Sequence, residues 1–237
     1  MKERKGVVNI LQHLENKTEE NANRIALGIK THFGWKEFTY RGIGLMSRKI
    51  ASYFIDDIQL KKGDRVAVSG KNSPEWATVY LATLFAGGIV VPIDYGLHDK
   101  EICNLLNASK PVLFFVDEEK YGYFSANPQG IKIFSLSKKY PEFYAYNLSE
   151  EKQFTAELPT EDDVAAILFT SGTTGNPKGV MLTHKNLVSD CYIAQTNLTV
   201  YSTDVFYALL PIHHSYTMQA VFIESMSTGA EVVFGKS

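Results

Sequence analysis

Two stretches of this sequence bring together residue types that could do chemistry. The first, Ile167–His184, reads ILFTSGTTGNPKGVMLTH: an apolar run enters a loop of hydroxyls, glycines and one lysine, and a second apolar run leaves it. Gly172, Gly175 and Gly179 admit backbone angles that a Cβ excludes, so successive N–H groups can turn inward around anionic oxygens. Ser171, Thr173 and Thr174 add hydroxyl donors, and Lys178 adds a mobile point charge suited to the β- and γ-phosphates of a nucleotide. Pro177 fixes its own φ and biases Asn176 towards extended backbone, which commits the chain to a strand over Val180–Thr183. The spacing is not that of Walker A, because Gly179 follows the lysine where that motif needs Ser or Thr for Mg²⁺. By composition alone, a plain loop joining two antiparallel strands is the better account.

The second stretch, Leu210–Tyr216 (LPIHHSY), places His213 and His214 directly after an expected buried strand over Val205–Leu210, where α/β sheets bind ligands. Adjacent side chains on extended backbone diverge, so the pair is not expected to chelate a metal, and a histidine pair is more often structural than catalytic. The carboxylate pairs Asp162-Asp163 and Glu118-Glu119 fall in polar connections; they are expected to be solvated and are assigned no catalysis.

The elements that must position these residues are written in the hydrophobic pattern. Val8, Leu11 and Leu14 mark a short helix, and Arg24–Ile29 and Trp35–Thr39 a hairpin. Thr39 is placed to cap an amphipathic helix over Tyr40–Ile58, with Ile43, Met46, Ile50, Tyr53 and Phe54 on one face. After the turn Lys61–Asp64, a strand over Arg65–Ser69 leads to Ser73 as N-cap and Pro74 at the first helical position. That helix ends at Gly87-Gly88, and the continuous apolar run Ile89–Ile93 completes a βαβ unit. A helix over His98–Ala108 and buried strands over Val112–Val116 and Ile131–Leu136 continue the alternation, so the fold class is α/β. Lys138–Thr160 has no clear period and reads as a surface connection. Beyond the loop, Thr183 can cap a helix over His184–Asn197, Tyr216–Ser227 is expected to be helical, and Glu231–Phe234 is a strand. No fixed repeat is present, and two lobes of one domain are expected rather than an array.

Composition bounds the function further. The 237 residues are 45% hydrophobic and 21% charged, an ordinary globular balance, and a net charge of −2 supplies no field for nucleic acid or an anionic membrane surface. Only Cys103 and Cys191 are present, without metal-ligand spacing, so neither a disulfide framework nor a zinc site is expected and a reducing cytoplasm fits best. The charged N-terminal segment lacks the apolar core and cleavage site of a signal peptide. Val79–Val91, the longest nearly apolar stretch, is too short to span a bilayer, and a soluble protein is implied.

The order F-T-S-G-T-T-G-x-P-K-G-V-M-L-T-H closely resembles the signature loop of the adenylate-forming superfamily, which includes acyl-CoA synthetases, luciferases and peptide-synthetase adenylation domains. The stretches GDRVAVSGKNSPEWATVYLATLFAGGIVVPID and EICNLLNASKPVLFFVD resemble the N-terminal part of the same enzymes, and LPIHH resembles their L-P-x-x-H motif. The resemblance implies layered sheets with flanking helices, the N-terminal part of the large domain. It implies nucleotide contacts from Thr170, Ser171, Gly172, Thr173, Thr174, Gly175 and Lys178, catalytic roles for Lys178 and His214, and no metal ligand among these positions. His214 would stand between nucleotide and acyl pocket, and its presence favours fatty or aryl acyl-CoA synthetases, fatty modestly, over amino-acid-activating domains.

The implied reaction is attack of a carboxylate on the α-phosphate of ATP, with Mg²⁺, followed by transfer of the acyl group from AMP to CoA. Small-molecule carboxylate, ATP and CoA are the expected partners; oligomeric state is not indicated. The family's later motifs do not occur before Ser237, so residues 1–237 are expected to be a truncated N-terminal portion, inactive alone. Two other readings stay open: another adenylate-forming ligase (acyl-carrier-protein ligase or amino-acid adenylation domain), or a non-catalytic nucleotide-binding module.

Overall fold

The short apolar runs assemble into two sheets with a helix buried between them. The computed structural model describes residues 9–148, 156–170 and 177–235. The chain runs through α1 (Ile10–Glu20), β1 (Ile25–Thr31), β2 (Gly34–Thr39), α2 (Tyr40–Asp56), β3 (Arg65–Ser69), α3 (Pro74–Phe85) and β4 (Ile89–Ile93). It continues through α4 (Asp99–Ser109), β5 (Leu113–Val116), α5 (Glu118–Ala126), β6 (Lys132–Ser135), β7 (Val164–Thr170), β8 (Lys178–Thr183) and α6 (His184–Asn197). Last come β9 (Val205–Ala208), a π-helical segment Thr217–Ile223 that runs into α7 (Glu224–Thr228), and β10 (Glu231–Phe234).

One sheet has the order β6-β5-β3-β4-β7-β8 and is parallel except for the antiparallel β7–β8 hairpin; the other has the order β2-β1-β10-β9. In the second sheet β1 pairs antiparallel with β2 and parallel with β10, bringing Leu27 opposite Val232 from the far end of the chain. All twelve residues of α3 are buried, as befits a helix that is apolar all round, and it packs on β3 and β4 on one side and β1 on the other. Trp76 stacks on Tyr80 at 5.6 Å, and Tyr80 meets Phe222 of the π-helical segment edge-on at 5.7 Å. No helix among the described residues is long and apolar enough to cross a membrane.

The caps fall where the sequence puts them. Ser73 Oγ accepts from Trp76 N at 3.2 Å, Thr39 Oγ1 from Gly42 N at 3.1 Å, and Thr183 Oγ1 from Asn186 N at 3.2 Å. Tyr40, first residue of α2 and 2% exposed, ties that helix to the other end of the chain: its hydroxyl donates to Ala230 O at 2.6 Å, with Ser225 O at 3.1 Å. Tyr40→Phe leaves these buried carbonyls without the hydroxyl and should cost about 2 kcal/mol, seen as a lower urea midpoint at unchanged slope.

Several expectations are corrected. Glu118 and Glu119 are exposed, as expected, but they open α5 rather than lie in a connection, and the helix N-terminus favours them; Glu119 pairs with Lys71 Nζ at 2.6 Å, and Glu118 accepts from Ser137 Oγ at 2.8 Å. Asp162 and Asp163 do lie in the connection before β7, where Asp162 is exposed and Asp163 pairs with Lys62 at 2.6 Å. The run Val205–Leu210 is not a buried strand: β9 ends at Ala208 and is an edge strand, with Val205 59% and Tyr207 58% exposed. The described part of Lys138–Thr160 is not all surface, since Tyr144 is buried and donates to Glu75 Oε1 at 2.6 Å, the oxygen that also takes Lys36 Nζ at 2.6 Å. Tyr216–Ser227 is helical, but its first half is wound as a π-helix, a form that recurs at functional sites.

Candidate functional site

The loop opens at the carboxyl end of a parallel strand. β7 pairs with β4 at Ala166↔Val90, and carrying that register forward sets the last residue of β7, Thr170, beside Asp94, the residue after β4. β8 returns antiparallel, with Thr170 opposite Lys178 and Phe169 opposite Gly179. The hairpin thus holds two predicted nucleotide residues, Thr170 and Lys178, on facing ends of one ladder, both exposed. Ser171, Gly172, Thr173, Thr174 and Gly175 lie outside the described residues. The second strand begins at Lys178 itself rather than at Val180.

Gly179 is a glycine for a different reason from the one its neighbours suggest. Its φ lies outside the left-handed region; instead, a Cβ there would come within 2.7 Å of Ile167 Cγ2. The glycine lets β7 side chains lie against β8 beside Lys178. Gly179→Ala should therefore overpack the hairpin and lower thermal stability, by about 1–3 kcal/mol, with the loss measured by calorimetry.

Asp94 draws the second predicted stretch to the same edge. His213 Nε2 lies 3.5 Å from Asp94 Oδ1, and its ring meets Tyr95 edge-on at 6.4 Å. Burial pushes the His213 imidazole below its ordinary value, with the Asp94 carboxylate pulling the other way and His214 adding to the depression. His213 Nδ1 is buried without a hydrogen-bond partner among the described residues. His214, the histidine singled out from the sequence, is exposed, and its Nδ1 accepts from Tyr216 N at 3.3 Å. The segment is a turn rather than the extended stretch expected, closed by His214 N on Pro211 O at 3.1 Å, and within it the two histidines part: His213 packs on Asp94, and His214 is exposed.

Asp94, Tyr95 and Asn72 were not legible as site residues. Asp94 and Tyr95 follow an apolar strand run, a position that in parallel sheets carries ligand groups, and this was the one available signal. Nothing local marks Asn72, whose partners lie far along the chain.

A second crevice, of about 460 Å³, lies at the carboxyl ends of β3 and β5, where the strand order reverses. Two ion pairs lie along it, Lys71 with Glu119 and Lys36 with Glu75. Asp117 lines it as well; burial pushes its carboxyl up to about 6, although Oδ2 accepts from Lys71 N at 2.6 Å. No group of three or more His, Cys, Asp and Glu among the described residues could hold a metal ion.

Comparison with known proteins bears on the chain as a whole. The model of the AMP-binding enzyme family matches residues 14–237. The 4-coumarate–CoA ligase CCL1 of Humulus lupulus is 32% identical over 211 residues, which cover 82% of this chain and 38% of the relative. Crotonobetaine/carnitine–CoA ligase of Salmonella paratyphi A is 28% identical over 242 residues, covering 96% of this chain and 46% of that one. Among solved structures, ATP-bound MatB from Rhodopseudomonas palustris superposes with a TM-score of 0.82 at 27% identity, over 96% of this chain and 45% of MatB. The N-terminal subdomain of Klebsiella oxytoca NpsA, in complex with 3-hydroxyanthranilyl-AMSN, shares the fold at a TM-score of 0.78 and 21% identity, covering 97% of this chain and 54% of that one. The chain thus spans about two fifths of the length of the curated relatives it matches first, 38% in each case.

Proposed function

The chain belongs to the AMP-binding enzyme family, among the adenylate-forming acyl-CoA ligases, and from that premise we propose that it supplies the N-terminal part of the large domain of an AMP-forming acid–thiol ligase. The observation that carries this reading is the β7–β8 hairpin. It presents Thr170 and Lys178 across one ladder at the edge of the sheet where Asp94 meets His213.

In this reading the hairpin grips the pyrophosphate half of ATP. Lys178 sits at the first position of an ordered strand, so its ammonium is delivered from a fixed backbone to the charge that grows on pyrophosphate as a carboxylate attacks the α-phosphate. Its role is electrostatic, not nucleophilic. Thr170, Ser171, Gly172, Thr173, Thr174 and Gly175 complete the grip. Mg²⁺ belongs to the proposal as the companion of ATP; the described residues offer no group of three or more His, Cys, Asp and Glu to hold it. His214, exposed beside Leu210 and Tyr216, walls the acyl pocket, and CoA accepts the acyl group in the second half-reaction.

The acid is a carboxylate of the fatty class by the sequence reading. The 4-coumarate–CoA ligases among the relatives add hydroxycinnamic acids as a second class. Carboxylate-dependent exchange of labelled pyrophosphate into ATP, run with both classes and with amino acids, tests the proposal on the 237-residue chain and on a version extended to the relatives' length. Exchange driven by fatty or hydroxycinnamic acids in the extended version alone is the expected result. Exchange driven only by amino acids would move the assignment to another adenylate-forming ligase, and no exchange in either version would leave a nucleotide-binding module.

A further inference from the structure

Asn72 stands on the connection from β3 to α3, at the point where the six-stranded sheet reverses its order, with its side chain turned away from that sheet's core and towards the four-stranded one. It is 4% exposed and fully engaged: Nδ2 donates to Ala208 O at 3.0 Å and to Leu210 O at 2.9 Å, and Oδ1 accepts from Ile212 N at 2.7 Å. We propose that Asn72 is a positioning residue for the site, holding the Ala208–Ile212 turn and thereby setting where His213 and His214 stand. The inference rests on the nucleotide and acyl reading of that edge only for its functional meaning.

The chemistry selects an amide. Two donors and one acceptor must reach three backbone groups within five residues of chain; an ionised carboxylate has no donor, a hydroxyl has one, and an ammonium has no acceptor. The arm itself is fixed from both sides. Lys71 N donates to Asp117 Oδ2 at 2.6 Å, and Ser73 caps α3, so residues 71 to 73 are each anchored to a different element. The turn it grips is otherwise an irregular exit from an edge strand. Ala208 O also receives Gly235 N at 3.2 Å, and His214 N closes on Pro211 O at 3.1 Å. Ile212 is wholly buried, and the next residue is His213, whose ring then meets Asp94 and Tyr95.

A residue that only stabilises the fold would raise hydrogen exchange everywhere alike when removed; a positioning residue acts on the turn. The test uses Asn72→Ala and Asn72→Asp in the 237-residue chain, with His213 resonances assigned by His213→Gln. In Asn72→Ala the Ile212 amide should exchange about tenfold faster. The His213 imidazole should titrate closer to an ordinary histidine as burial is relaxed, while Val90 and Val91 amides and the His184 titration stay as in the wild type. Asn72→Asp keeps the acceptor and loses both donors, so Ile212 should stay protected while the amides that close the same turn, Gly235 N on Ala208 O and His214 N on Pro211 O, exchange faster. Should Asn72→Ala fail to fold, Asn72→Asp decides: faster exchange at His214 and Gly235 with Ile212 protected supports the proposal, and wild-type exchange at both overturns it. Loss of Ile212 protection only in step with β4 amides also overturns it. MgATP titrated into the wild type separates the two ideas, since absent nucleotide binding would count against the functional reading and leave these amide and imidazole readouts standing.

Discussion

At pH 4, His184→Leu should recover about 3 kcal/mol of the stability that the wild type forfeits on acidification from pH 7. His184 opens α6 at 1% exposure, and burial pushes its imidazole down to about 4, against the pull of the Asp163 carboxylate. In the unfolded chain the group titrates at its ordinary 6.5. Between those values the unfolded state binds the proton and the folded state does not, so this contribution is intact above pH 6.5 and drains away as the pH falls towards 4. Asp117 works in the opposite sense. Its carboxyl is raised from 3.8 to about 6, so the folded state protonates first and gains stability as the pH falls through that window, by about 2 kcal/mol at pH 4. His13 and His213 side with His184, and Glu224 and Glu231 side with Asp117, each displaced chiefly by burial. The wild-type profile is therefore flatter than either residue alone would make it. Urea titrations at pH 7, 6, 5 and 4 should show His184→Leu losing less than the wild type and Asp117→Asn losing more. A His184→Leu profile parallel to the wild type would mean that the imidazole is protonated in the fold and contributes none of the acid sensitivity.

The elements most legible in the sequence are those whose signals are local. Ser73, Thr39 and Thr183 cap their helices because a hydroxyl before an apolar-periodic run has one good partner, the amide three residues on. Ile89–Ile93 reads as a strand covered on both faces, and so it is. By contrast α5 carries EEKYGYFSA, in which only Tyr121 and Phe124 are buried and Gly122 interrupts, too little apolar period to announce a helix. The partner of β1 could not be read either, since nothing in IALGIKT specifies a pairing with a strand at the opposite end of the chain. β9 has the apolar composition of a buried strand but lies at an edge, because composition does not record sheet order. Lys178 and Thr170 are singled out by type and order, whereas Asp94 and Asn72 make their contacts with residues more than a hundred positions away. The histidine that the structure ties to a carboxylate is His213, and sequence order alone had pointed to its neighbour.

Lys178→Ala should weaken MgATP binding by about ten- to a hundredfold and leave AMP binding nearly unchanged. A charge-assisted contact to a phosphate oxygen contributes about 1.5–3 kcal/mol, and each 1.4 kcal/mol is a factor of ten in affinity. The selectivity follows from placement. Lys178 is the first residue of β8, held opposite Thr170 at the mouth of the hairpin, so it lies on the far side of the loop from the strand that leads in. If the loop wraps the β- and γ-phosphates, removal of the ammonium is felt by a triphosphate or by pyrophosphate and not by a nucleotide that lacks them. Lys178→Arg should recover only part of the loss, because a planar fork does not reproduce a compact ammonium at a point-charge site. Gly179→Ala, which disturbs the same strand without touching charge, is the control for distortion. Calorimetric titration with ATP, pyrophosphate and AMP against these three variants resolves the cases. A loss shared equally by ATP and AMP would place Lys178 near the base or ribose instead, and wild-type affinity for ATP in Lys178→Ala would remove the lysine from the site.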